Sequence, residues 1–164
     1  MIRLELITPG NASTFKAVRL HALSESPTAF YSTHVAESRL SDADWLARAA
    51  QCSDDKCVGY LAMDVDTACG IVRATPDDHE PGVAWVESMW VAPSHRRRCV
   101  GRLLIGEILA WARNQGIGTL KLEVTGNNEP AIRFYRSLGF FPTGKTRPSP
   151  SDPALIECEM SRRL

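Results

Sequence analysis

The sequence predicts an α/β (α+β) fold, a mixed central sheet of six to seven strands with helices on both faces. Three observations carry this. Strand-length apolar runs recur at 2–8, 58–63, 68–74, 83–91 and 119–124. The stretch following Gly101 repeats large apolar residues at helical spacing. Beyond residue 91 helical and strand patterns alternate, which needs a sheet covered on both sides.

In chain order, residues 2–8 alternate charged and apolar side chains, and read as a strand rather than a signal peptide. Pro9-Gly10 breaks that run, and a helix follows over about 11–23, closed off by Pro27. Ser41-Asp-Ala-Asp supplies a cap for a second helix over 41–50, with Trp45, Leu46 and Ala49 at helical spacing. Strands at 58–63 and 68–74 flank Asp64-Val-Asp-Thr as a hairpin, and an acidic loop over 75–82 leads into the run 83–91. That run is apolar on both faces except at Glu87, as suits a central strand. The helix near Gly101 presents Leu103, Leu104, Ile105, Ile108, Leu109, Trp111 and Ala112 as a broad apolar face and ends at Gly116. Strand 119–124 alternates Leu120, Leu122 and Val124 with Lys121 and Glu123. A helix over 129–138 tolerates Pro130 in its first turn and has Gly139 past its end. Strands at 141–145 and 155–160, joined by a Pro/Ser-rich loop, complete the pattern.

The 164 residues fit one domain, 1–164, with room for a true core. Nineteen basic and nineteen acidic side chains cancel, which argues against a nucleic-acid coat or a polybasic membrane anchor. No run approaches the roughly 18 apolar residues of a membrane span. Five scattered cysteines without a Cys-x-x-Cys pair suit a reducing cytoplasm, and the four histidines show no ligand spacing, so no metal is expected.

The chemistry concentrates between Val91 and Leu104, where an apolar strand stops, Arg96, Arg97 and Arg98 intervene, and a helix begins with Gly101 in its first turn. A helix start offers unpaired backbone N–H groups and the positive end of the macrodipole, so this segment predicts a phosphate-bearing ligand.

Arg96-Arg-Arg-Cys-Val-Gly101 resembles the Arg/Gln-x-x-Gly-x-Gly/Ala signature of the GCN5-related N-acetyltransferase (GNAT) superfamily. Asn128-Glu-Pro-Ala131-Ile-Arg-Phe134-Tyr135-Arg-Ser-Leu-Gly139-Phe140 resembles the same family's Asn-x-x-Ala-x-x-Phe-Tyr-x-x-x-Gly-Phe segment. The resemblance implies that the fourth and fifth strands splay apart and that acetyl-coenzyme A is the co-substrate for acetylation of an amine. On it, the pyrophosphate sits on N–H groups of Arg97, Arg98, Cys99, Gly101 and Arg102, within a motif that also contains Arg96 and Val100. The pantetheine arm runs beside Met89 and Val91 and bonds Asn128, in the segment containing Ala131. Tyr135 is the implied acid for the leaving thiolate, and the Met89 N–H the implied oxyanion donor. Glu87 stands where some members carry a glutamate that activates the amine.

Each assignment has a plainer counterpart: core packing for Tyr135, a structural salt bridge for Glu87, a helix cap for Asn128. Cys99 departs from the family's usual glycine. Its thiol is either activated by the arginines and the helix start or packed under the loop. Phe30 and Tyr31, in the loop after the first helix, are candidates to wall the acceptor site, with Trp45, the final hairpin and the acids Asp77, Asp78 and Glu80 as further candidates. The acceptor is a small-molecule or peptide amine. Family members often pair, so a homodimer is among the expected assemblies. The competing function is a non-catalytic acyl-coenzyme A sensor or interaction module.

Overall fold

A computed structural model describes residues 1–54 and 56–164. The chain runs β1 (Ile2–Leu6), α1 (Ala12–Glu25), α2 (His34–Ser38), α3 (Asp42–Gln51), β2 (Val58–Asp64), β3 (Thr67–Pro76), β4 (Val83–Val91), α4 (Val100–Asn114), β5 (Thr119–Thr125), α5 (Glu129–Ser137), β6 (Phe141–Pro148) and β7 (Ile156–Arg163). The strands form one sheet in the order β1-β2-β3-β4-β5-β7-β6, antiparallel except at β4–β5.

Neighbouring residues of a strand point to opposite faces. On β4, Trp90 meets α1, with its ring 5.0 Å from that of His21 and its Nε1 donating to Glu25 at 2.8 Å. Met89, one residue earlier, meets the start of α4 at Gly101. The two helices therefore cover opposite faces of the central strands. On the α4 side Leu104, Ile105, Ile108 and Ala112 are fully buried. Each large one contributes about 1.5–3 kcal/mol by leaving water. Gly70 on β3 makes room for Leu104, whose Cδ1 would lie 3.0 Å from a Cβ there. Leu103, predicted on the same apolar face, is 44% exposed, because only a narrower stripe fits between helix and sheet.

Trp45 is buried, its ring edge-on to that of Phe15 at 5.3 Å. It packs α3 onto α1 and takes no part in an acceptor site. Asp77 closes the turn before β4 by accepting from the N–H groups of His79 and Glu80 and from Trp85 Nε1 at 2.6 Å, so its charge is used locally.

Two features went beyond the sequence pattern. Helix α2 is five residues long and too short for apolar periodicity; Thr33 caps it through Ala36 N–H. Its buried Glu37 accepts from Arg19 of α1 at 2.9 and 3.1 Å and from Arg48 of α3 at 3.2 Å. Strands β6 and β7 run three residues further than predicted in each case, to Pro148 and Arg163. Proline is tolerated in β6 because that strand is the sheet edge.

Candidate active site

The turn before α4 holds two non-glycine residues in the left-handed region, Arg97 (φ 61°) and Cys99 (φ 63°). Such reversals turn successive N–H groups toward one side and form an anion-binding concavity. The first bond of α4 runs from Leu103 N–H to Cys99 O, so the N–H groups of Cys99, Val100, Gly101 and Arg102 lie ahead of the helical ladder.

The arginine side chains do not all face that concavity. Arg96 turns back, donating from Nε to Val91 O at 2.9 Å and from Nη2 to Glu25 Oε2 at 2.7 Å. Glu25 thereby ties the end of α1 to both β4 and the loop. Burial alone would raise its carboxyl pKa, but hydrogen bonds from Ser26, Trp90 and Arg96 hold it below the usual range. Arg98 lies 3.8 Å from Asp64, and Arg102 reaches Ser137 at 3.1 Å. Arg97 is exposed. Cys99 is exposed too, so the reading of a thiol packed under the loop is corrected: a left-handed residue at this point turns its side chain outward. Gly101 serves packing. A Cβ there would meet Phe134 Cζ at 2.8 Å and Met89 Cε at 3.2 Å, so the glycine lets α5 and β4 close around the start of α4.

Strands β4 and β5 pair only at Val83–Thr119, Ala84–Leu120 and Trp85–Lys121, after which they part as the resemblance implied. On its other side β4 carries a bulge: Arg73 faces Glu87 and Ile71 faces Trp90, so Val72 opposes both Ser88 and Met89. Ser88 takes φ 57° there. In the gap lies a cavity of about 430 Å³ lined by Glu87, Ser88 and Met89 of β4 and by Tyr135 of α5, among others.

Glu87 is exposed in this cleft, with Thr75 Oγ1 donating to it at 3.4 Å. Among the described residues it makes no salt bridge to a helix. Tyr135 is buried at the cavity edge between Phe134 (5.3 Å) and Phe140 (5.9 Å). Burial raises its pKa, so the phenol holds its proton at neutral pH. Gly139, at φ 82°, reverses the chain after α5 and brings Phe140 under that ring. Asn128 Oδ1 caps α5 by accepting from Ala131 N–H at 3.3 Å. Met89 and Val91 are half-buried on the splayed part of β4.

Phe30 and Tyr31 both line the cavity. Arg19 lies over the Phe30 ring at 4.9 Å, and Arg147 over the Tyr31 ring at 4.6 Å. Tyr31 and Arg147 each bond Glu123, and each other. Arg19, Arg73, Trp85, Glu123, Arg147 and Glu157 also line the cavity; Arg147 and Glu157 belong to the final hairpin, named as a candidate from sequence, and the other four were not singled out. Their charges sit on five different elements, so only the fold brings them together. The alternation on β5 does place Glu123 opposite its core face. Among the described residues no group of His, Cys, Asp and Glu gathers to hold a metal, and no helix is long and apolar enough to cross a membrane.

The model of the acetyltransferase (GNAT) family matches residues 20–140. Streptothricin acetyltransferase from Streptomyces lavendulae is 47% identical over 55 residues, 34% of this chain and 29% of that protein. The chain thus spans under a third of that curated relative. A GNAT-family acetyltransferase from Streptococcus pneumoniae superposes over 100% of this chain and 99% of its own, with TM-score 0.84 at 21% identity. PaiA N-acetyltransferase from Thermoplasma acidophilum, solved in complex with coenzyme A, covers 100% and 99% with TM-score 0.79 at 16% identity. At these identities the two structures establish the shared fold.

Proposed function

The chain belongs to the acetyltransferase (GNAT) family, and from that premise we propose that it moves the acetyl group of acetyl-coenzyme A onto a primary amine held in the β4–β5 cavity. The observation that carries the reading is the parting of β4 from β5 beyond Trp85, which opens β4 backbone, Glu87 and Tyr135 onto one cavity beside the N–H-rich start of α4.

The left-handed turns at Arg97 and Cys99 and the helix start suit a pyrophosphate, supported by the N–H groups of Arg97, Arg98, Cys99, Gly101 and Arg102. Met89 and Val91, beyond the last β4–β5 pair, offer strand edge to an extended arm, with the Val91 carbonyl held by Arg96, and Asn128 offers an amide beside it. Arg96, in this reading, braces the loop rather than meeting the anion. Acetyl-coenzyme A supplies an activated thioester; the protein supplies alignment and protons. Glu87 accepts the proton of the incoming ammonium, leaving a lone pair to attack the acetyl carbon. The Met89 N–H at the bulge stabilises the oxygen as it gains charge. As the C–S bond breaks and the carbonyl re-forms, Tyr135 gives its proton to the sulfur, and the second proton of the attacking nitrogen passes through solvent to restore the phenol. Phe30 and Tyr31 wall the acceptor.

The test is thiol release from acetyl-coenzyme A against a panel of amines. The relative named for streptothricin puts that compound first, followed by aminoglycosides, polyamines, amino acids and peptides. Release with at least one amine, lost in Tyr135→Phe, is the expected result. Binding of coenzyme A with no release for any amine would overturn it in favour of a non-catalytic acyl-coenzyme A sensor.

A further inference from the structure

Behind the cavity wall, Arg73 gathers two thiols that acetyl transfer does not use, Cys52 and Cys57. On β3, Arg73 and Thr75 share a face, and Arg73 stands opposite Glu87. Arg73 Nε donates to Cys52 Sγ at 3.2 Å and its Nη2 to Cys57 Sγ at 3.7 Å. Thr75 Oγ1 lies 3.7 Å from Cys57 Sγ. Both sulfurs thus lie on the same guanidinium, one from the end of α3 and one from just before β2.

A buried cysteine is ordinarily inert packing. A guanidinium directed at sulfur is a different environment, because it favours the thiolate, which is the reactive form. The neighbouring Cys52 thiol, the Arg73 charge and the Thr75 hydroxyl bring the Cys57 thiol down to about 6 against the opposing effect of burial. The nearness of Cys57, with burial, pushes the Cys52 thiol up. A guanidinium that reaches both sulfurs, with the Thr75 hydroxyl beside Cys57 alone, makes the two thiols unequal, which suits an attacking and a resolving cysteine.

We propose that Cys52 and Cys57 form a peroxide-reactive dithiol that closes to an intramolecular disulfide behind the cavity wall. In the first step the Cys57 thiolate attacks one oxygen of hydrogen peroxide. An S–O bond forms, the O–O bond breaks, and the departing hydroxide takes a proton from solvent, leaving a sulfenic acid. In the second, Cys52 gives up its proton and attacks the Cys57 sulfur. The S–S bond forms, the S–O bond breaks, and hydroxide leaves with that proton as water. The two sulfurs together lose two electrons, and the peroxide gains them. Cys57 keeps 6% of its surface open, which suits an oxidant little larger than water.

The proposal goes beyond acetyl transfer and is read by mass alone, so it stands or falls independently of the function above. The full chain is exposed to stoichiometric hydrogen peroxide, unfolded, alkylated and digested. The expected product is a Cys52–Cys57 cross-link, lighter by two hydrogens and reversed by dithiothreitol, formed equally in Cys99→Ser. Cys52→Ser is expected to stop at a Cys57 sulfenic acid trapped by dimedone, and Cys57→Ser to give neither product. Arg73→Gln, which withdraws the cation supporting the thiolate, slows cross-linking about tenfold while the chain remains folded by circular dichroism. Peroxide that consumes Cys99 and leaves Cys52 and Cys57 free to alkylate overturns the proposal, as does sulfinic acid at Cys57 beside an intact Cys52.

Discussion

Cys99 carries a Cβ at φ 63°, where an L side chain crowds its own carbonyl. Replacing it with glycine relieves roughly 1–2 kcal/mol of strain and gives back roughly 0.5–1 kcal/mol in the entropy of the unfolded chain. Cys99→Gly is accordingly expected to raise the urea midpoint, with a net gain of about 0.5–1 kcal/mol; a fall would show that the thiol makes a contact worth more than the strain. Glu87 makes the complementary case. It was legible as the one charge in an apolar strand, because an ionised group in such a run must face a polar space. The bulge beside it, with Ser88 at φ 57°, left no mark in the sequence, since serine has no preference for that angle. If Glu87 takes the amine proton, Glu87→Gln lowers kcat/KM about a hundredfold and leaves coenzyme A affinity unchanged. Buffers of higher pH, which deprotonate the amine without help, then restore part of the rate. Unaltered turnover across pH would remove Glu87 from the chemistry.

Short elements are held by charge where length gives them little. Helix α2 stands on Glu37, whose carboxylate is buried between Arg19 and Arg48. Burial alone would raise its pKa; the hydrogen bonds and charge of Arg19, helped by Ser32 and Arg48, outweigh that and hold it below the ordinary glutamate value. A carboxyl that titrates lower folded than unfolded contributes its full stability above the unfolded value, about 4.3, and loses it as pH falls through the folded value. Glu37→Gln is therefore expected to cost roughly 3–5 kcal/mol at neutral pH and to flatten the decline in stability as pH falls below the unfolded glutamate value. Equal decline in both proteins would assign the acid sensitivity elsewhere. The same ion triad explains why α2 escaped the sequence pattern: its partners lie 18 and 11 residues away, on other helices, and five residues show no period. Helix α4, by contrast, was legible because its stripe of Leu104, Ile108 and Ala112 is a local signal.

Across the whole molecule, all seven strands could be read from period and punctuation, since each buries at least one face or pairs along its length. The order of the sheet and its parting between β4 and β5 could not, because strand pairing depends on partners distant in the chain; the family resemblance, not the residues, anticipated the splay. The cavity walls were the least legible part, with Arg73, Glu123, Arg147 and Glu157 converging from four strands. On the proposed function, the parted strands and the α4 start form a site with two halves, a backbone cradle for pyrophosphate and an open strand edge for the arm. A ligand that binds only the folded chain stabilises it by mass action, about 2.7 kcal/mol at a hundred times its Kd. For a chain of this size that corresponds to a rise in Tm of about 5–10 °C. Coenzyme A and 3′-dephospho-coenzyme A, which both carry pyrophosphate and arm, are expected to give such a rise, and pantetheine, which has only the arm, to give little at the same concentration. An equal shift with pantetheine would separate the loop from ligand binding, and no shift with any of the three would mean that the parting of β4 and β5 serves something other than coenzyme A.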